Sequence, residues 1–98
     1  MSYLAKTREI YFMMQQGQLL EAFDQYYADH VVMVEPAGSR EGKEACRTYE
    51  VQFLENIQEF HNLELKSIAA DEANGIVFSE SAMDVTFKDG NRLQMEQV

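Results

Sequence analysis

The chain has 98 residues, 46% of them hydrophobic and 11% aromatic, enough for one domain with a real core and too apolar for a disordered chain. Its net charge of −9 opposes binding to nucleic acid, which needs Lys and Arg to replace counterions at phosphates, and opposes docking on anionic lipid. With one cysteine, Cys46, no intrachain disulfide can form, and no apolar run approaches the length of a signal-peptide core or a membrane span, so a cytoplasmic protein is expected.

In chain order, residues 3 to 16 read as a helix whose apolar side is Leu4, Ile10, Tyr11, Met13 and Met14, ended by Gly17. A second helix runs from Gln18 to about Ala28, with Leu19, Leu20, Phe23, Tyr26 and Tyr27 at the spacing of one buried face. Asp29 and His30 make the corner into a strand built on Val31, Val32, Met33 and Val34. Glu35-Pro36 stops it, because proline lacks the ladder N–H and forces the residue before it toward extended geometry. Ala37-Gly38-Ser39 reads as a turn. The spacing of Cys46, Tyr49, Phe53, Ile57 and Phe60 predicts a third helix from Gly42 and Lys43 to about Phe60. Asn62 to Ala70 alternates as a strand, Asp71 to Gly75 turns, and Ile76 to Phe87 returns as a long two-faced strand. Lys88 to Asn91 is a further turn, followed by a strand from Arg92 to Val98. The expected fold is α+β: a curved, mainly antiparallel sheet wrapped over three helices in a single domain spanning 1–98.

The order of these segments resembles the nuclear transport factor 2-like superfamily, in particular its SnoaL-like and ketosteroid-isomerase-like branches. The resemblance rests on Gln16-Gly17, on Tyr27 to Val31, on Val34 to Ser39, on Glu41 to Ala45 and on Phe87 to Arg92. It implies a cone-shaped barrel with a deep pocket between sheet and helices, and a dimer across the sheet. Family members usually continue into one more long strand, so the last family strand is expected to be missing here. In the isomerase branch the general base is an acidic residue just before a proline in this strand, and Glu35 matches that position with Glu in place of Asp. That branch also uses a tyrosine on the first helix as an oxyanion donor. Counting back from Glu35 gives Tyr11, and counting from Gly17 gives Ile10. The branch's second donor, a protonated acid on a late strand, falls at about Glu96 or just past it.

Each candidate has a plain structural alternative. Glu35 is a general base if an apolar pocket raises its pKa, and otherwise a rim carboxylate capping the turn after it. Tyr11 is an oxyanion donor, or a core tyrosine with its hydroxyl at the edge. Tyr26, Tyr27, Tyr49, Phe53 and Phe60 line a pocket for a flat apolar ligand, or are for the most part simply core. Glu80 and Asp84 share one face of the long strand, which either lines the cone or is solvated; the opposite face, with Val77, Met83, Val85 and Phe87, is more apolar. His30 and His61 sit at element ends without metal-ligand spacing, so no metal is expected, although His61 can reach the pocket mouth as a proton carrier. Cys46 reads as a buried, inert thiol. The expectation is a SnoaL-like domain for an apolar small molecule, acting without a cofactor as an isomerase or cyclase through Glu35. The alternative is a non-catalytic ligand-binding or dimerisation domain of the same fold. A homodimer is expected in either case, since an open sheet edge and an apolar face need covering.

Overall fold

The computed structural model describes residues 2–35 and 38–98, which form three α-helices and five strands in two antiparallel sheets. Helix α1 (Tyr3–Gln15) starts on Ser2, whose hydroxyl accepts from the Ala5 N–H at 3.0 Å, and ends before Gly17, whose φ of +78° suits glycine alone. Helix α2 (Leu19–Tyr26) buries Ala22 and Phe23. Strand β1 (Val32–Glu35) pairs with β2 (Gly38–Glu41), placing Met33 opposite Arg40 and Glu35 opposite Gly38. Helix α3 (Lys43–Glu55) follows at Gly42, and β3 (Ile57–Asp71), β4 (Ile76–Phe87) and β5 (Arg92–Gln97) form a meander in the order β3-β4-β5.

Two expectations need correction here. Gly38 and Ser39 are not turn residues but open β2, and Ala37 lies outside the described residues, as does Pro36. Helix α3 stops at Glu55 rather than near Phe60. The Asn56 side-chain amide donates to the Gln52 carbonyl at 2.9 Å, and the Asn56 carbonyl accepts from the Lys88 N–H at 2.8 Å, so the chain is tied to the end of β4 at that point.

From Ile57 onward the chain is strand, and three irregularities in its pairing explain why the spacing misleads. The register slips between Ile57 and Glu59, between Phe60 and Asn62, and between Leu65 and Ser67. Each slip inserts one residue, as a β-bulge does. Residues opposite Phe87, Val85, Met83, Ser81 and Ser79 share the helix-facing side, and these are Ile57, Phe60, Leu63, Leu65 and Ile68. Their spacing is therefore 3, 3, 2 and 3, which imitates a helical stripe at its start. Bulges also bend a strand and increase its twist, which curves this sheet around the helices.

The core is small: α1 lies on β3 and β4, α2 packs on α1 and α3, and α3 packs on β1, β2 and β3. Ala22, Phe23, Cys46, Leu63 and Val85 are buried, with Ser81 the buried polar residue beside them. Phe23 stacks on Tyr27 with ring centroids 4.5 Å apart, and Phe53 meets Phe87 edge-on at 6.1 Å. The Asp24 carboxylate takes two hydrogen bonds from Arg47, at 2.9 and 3.2 Å, joining α2 to α3. The β1–β2 pair and the three-stranded sheet are not hydrogen-bonded to each other among the described residues, so the cone expected from the resemblance is open rather than a closed barrel.

Candidate functional site

The inner face of the β1–β2 hairpin and the facing side of α3 bring four polar side chains together. Along β1 the valines point outward, Val32 at 53% and Val34 at 77% exposure, which leaves Met33 and Glu35 on the inner side. Arg40, opposite Met33 on β2, shares that side and lies diagonally across from Glu35. On α3, Cys46, Tyr49, Glu50 and Phe53 form the covered face, because residues three and four apart stack on one side of a helix. The Cys46 thiol reaches the Arg40 carbonyl at 3.6 Å and fixes which helical turn meets the hairpin.

Arg40 is the centre of this cluster. Its guanidinium lies over the Tyr49 ring, 3.3 Å from the centroid, a close cation–π stack. Its Nη1 approaches the Glu35 carboxylate at 3.5 Å, a long ion pair, and the Tyr49 hydroxyl donates to the same Glu35 oxygen at 3.3 Å. Arg40 is 23% exposed and Glu35 37%. Glu50, on the next helical position, makes no ion pair among the described residues. Burial pushes its pKa above the ordinary 4.5, the nearby Glu35 charge pushes it further, and Arg40 opposes both.

Two tyrosines extend the cluster. Burial, followed by the Glu35 charge, raises the Tyr49 hydroxyl above its ordinary value, with Arg40 in opposition. Burial also raises Tyr27, helped by Glu50, Tyr11 and Cys46. Both therefore stay protonated at neutral pH and serve as hydrogen-bond donors. Tyr11, on α1, shares a 3.0 Å hydrogen bond with Ser79 on the inner face of β4. This is the edge-of-core role open to a tyrosine there, and it holds the ring against the sheet.

The other residues singled out by sequence lie apart from this group. Phe53 packs against Phe87 at the far end of the inner face. His61 and Glu80 are on the sheet's opposite side. His61 is the inserted residue of the second bulge, and its Nε2 lies 2.7 Å from Thr86 Oγ1. Glu80 takes a long hydrogen bond from Ser67 at 3.4 Å. Asp84, on the same side, is clasped by Arg92 at 2.7 and 3.0 Å, and that contact lowers its pKa from 3.8 to about 2. Glu96 is also there, paired with Lys66 at 2.6 Å. The alternation of β4 thus resolves with the apolar side inward and the acids outward. Two open surface hollows, of about 690 and 450 Å³, lie at the start of α3 and over the outer sheet face, and neither touches Glu35.

Arg40 and Glu50 are the site residues that sequence reasoning missed. Arg40 follows the segment read as a turn and belongs to no element read from the sequence, and only its pairing opposite Met33 turns it inward. Glu50 is not among the apolar stripe residues Cys46, Tyr49 and Phe53, although it stands four residues after the buried Cys46. That interval was the available signal. Among the described residues no group of three or more His, Cys, Asp and Glu side chains is placed to hold a metal ion, and no helix is long and apolar enough to cross a membrane.

Comparison with curated proteins finds no match. The SnoaL-like domain family matches residues 5–98, nearly the full chain and every element described above. An α+β architecture of three helices under antiparallel strands agrees with that match, and the chain belongs to the SnoaL-like domain family, within the nuclear transport factor 2-like superfamily.

Proposed function

We propose that this chain binds a small molecule on the inner side of its sheet, against the Glu35–Arg40–Tyr49–Glu50 cluster. The observation that carries the reading is the placement of two carboxylates, a guanidinium and a phenol on one partly covered face, where only one carboxylate has an ion partner among the described residues. Displaced pKa values gather at functional sites, and Glu50 is raised by burial and by the Glu35 charge beside it. Family membership supports the same reading, because this architecture hosts small-molecule sites. Amide chemical-shift mapping with a panel of small apolar and polar compounds tests it. Shifts concentrated on β1, β2 and α3 are expected, and shifts confined to the outer sheet face overturn it.

A second reading adds proton transfer. The Tyr49 hydroxyl, which donates to Glu35 at 3.3 Å, is near enough to turn instead to the oxygen of a carbonyl compound bound beside that carboxylate. In that reading Glu35 takes the proton, as an isomerase or cyclase base does, with Tyr49 rather than Tyr11 as the neighbouring donor. Once a substrate is found, Glu35→Gln is expected to lower kcat by about 100-fold or more with folding intact. Unchanged turnover removes the base role and leaves the binding site. A homodimer joined through the open β5 edge belongs to the same proposal, and a clean monomer of 11.3 kDa in sedimentation counts against it.

A further inference from the structure

The geometry points to Arg40 as an anchor for a carboxylate carried by the ligand, which makes the preferred ligand a small organic acid with a flat apolar body. This rests on the reading of the inner face as a small-molecule site and narrows the class of compound it takes.

The argument starts from the donors of the guanidinium. Arginine offers five N–H groups in a rigid planar fork. Among the described residues the Arg40 side chain uses one, toward Glu35 at 3.5 Å, beyond the usual range of a good N–H···O bond. The side chain is 23% exposed, and its unused N–H groups remain open to water. Those open donors are free to bind a ligand's carboxylate in place of water. Stacking on Tyr49 at 3.3 Å fixes the plane of the fork without using any N–H group, so its edge is preorganised for a bidentate partner. The aromatic ring of Tyr49 lies directly beneath, and Tyr27, close enough to Glu50 to feel its charge, adds a second ring on that side. A flat apolar body suits those walls.

The local charges decide how such a ligand binds. Glu35 competes for the same cation, and Glu50 adds a second negative charge nearby. An incoming carboxylate therefore displaces a weak internal pair instead of meeting a free cation, and its affinity is modest in the wild-type chain. Removing the internal competitor should strengthen binding. Removing the guanidinium should abolish the preference for charge.

Three matched probes test this on the full chain: benzoate, benzamide and benzylamine, titrated into isotope-labelled protein and followed by amide shifts on β1, β2 and α3. Benzoate is expected to bind more tightly than benzamide, with benzylamine weakest. Arg40→Gln should weaken benzoate about tenfold, to the level of benzamide, because hydrogen bonds to a charged group carry differences of that order. Glu35→Gln, which keeps the side-chain shape, should tighten benzoate several-fold. Equal binding of benzoate and benzamide, or stronger binding of benzylamine, overturns the inference and leaves the small-molecule site standing. Failure of all three probes to perturb these elements overturns the site as well. If Arg40→Gln does not fold, the charge preference across the three probes in the wild type and in Glu35→Gln still decides the outcome.

Discussion

Helix α1 is fastened to the sheet by a carboxylate from a distant turn, and cutting that link has a calculable effect. Glu72, in the short 3-10 segment Glu72–Asn74 between β3 and β4, accepts from the Tyr3 N–H at 2.7 Å and from the Leu4 N–H at 3.1 Å. These are amides of the first turn of α1, which have no partner inside the helix. The Tyr3 ring rests beside Gly75, 3.7 Å from where a side chain there would begin. Glu72→Ala removes both acceptors and the negative charge at the positive end of the helix. Loss of a capping acceptor costs about 1 kcal/mol, and the dipole contribution adds about 0.3–1 kcal/mol for an exposed group. The sum, about 1–2 kcal/mol, corresponds to a fall in Tm of roughly 5–10 °C for a domain of this size. Glu72→Gln keeps one acceptor and loses the charge, so about half that fall is expected. Thermal unfolding followed by far-ultraviolet circular dichroism reads both. A Tm for Glu72→Ala within about 2 °C of the wild type refutes the bridge, since a surface substitution away from any such feature usually stays within about 0.5 kcal/mol. Because α1 carries Tyr11, an increased mobility of that ring is expected to accompany the fall.

Further outcomes follow from the charges. Glu50 has a folded-state pKa above its unfolded value, so the native state holds the extra proton and stability falls as pH rises through that window. Glu50→Gln should therefore raise Tm at neutral pH and flatten its decline above the ordinary carboxylate range; a lower Tm at pH 7 contradicts this. Asp84 shows the opposite linkage. Its pKa of about 2 lies below the unfolded value near 3.8, so its contribution is present above the latter and is lost as pH falls toward 2. Carboxyl titration by nuclear magnetic resonance should place Asp84 near 2, and Arg92→Ala should return it toward 3.8. In the core, Phe23→Ala should cost about 3–5 kcal/mol, since Phe23 is fully enclosed and stacked on Tyr27; denaturant melts with an unchanged midpoint oppose that assignment.

Much of the architecture was legible because local chemistry and tertiary structure agree. Gly17, Gly42 and the turn at Asp71 to Gly75 divide the chain where the glycine backbone goes to positive φ, and the limits of β4 match its reading from the Asn-Gly turn to Phe87. The two faces of β4 were legible as a pair, but their direction was not. A period of two states which residues share a face, and only packing against α1, through Tyr11 and Ser79, states which face is covered. The limit of α3 was illegible for a sharper reason. Bulges spaced the inward residues of β3 by three, and a spacing of three is what a helix also gives.

The sequence by itself determined the class of fold, the position of Glu35 at the end of a strand and the family to which the chain belongs. Glu35's neighbours were decided only by the tertiary structure, because Arg40 and Glu50 acquire their meaning from contacts across elements. Arg40 turns inward through strand pairing, stacks on a ring from a helix and meets a carboxylate five residues earlier, and no pattern along one element carries those three facts. Burial then separates the two glutamates, one beside a cation and the other without an ion partner among the described residues, although in the sequence they are the same side chain.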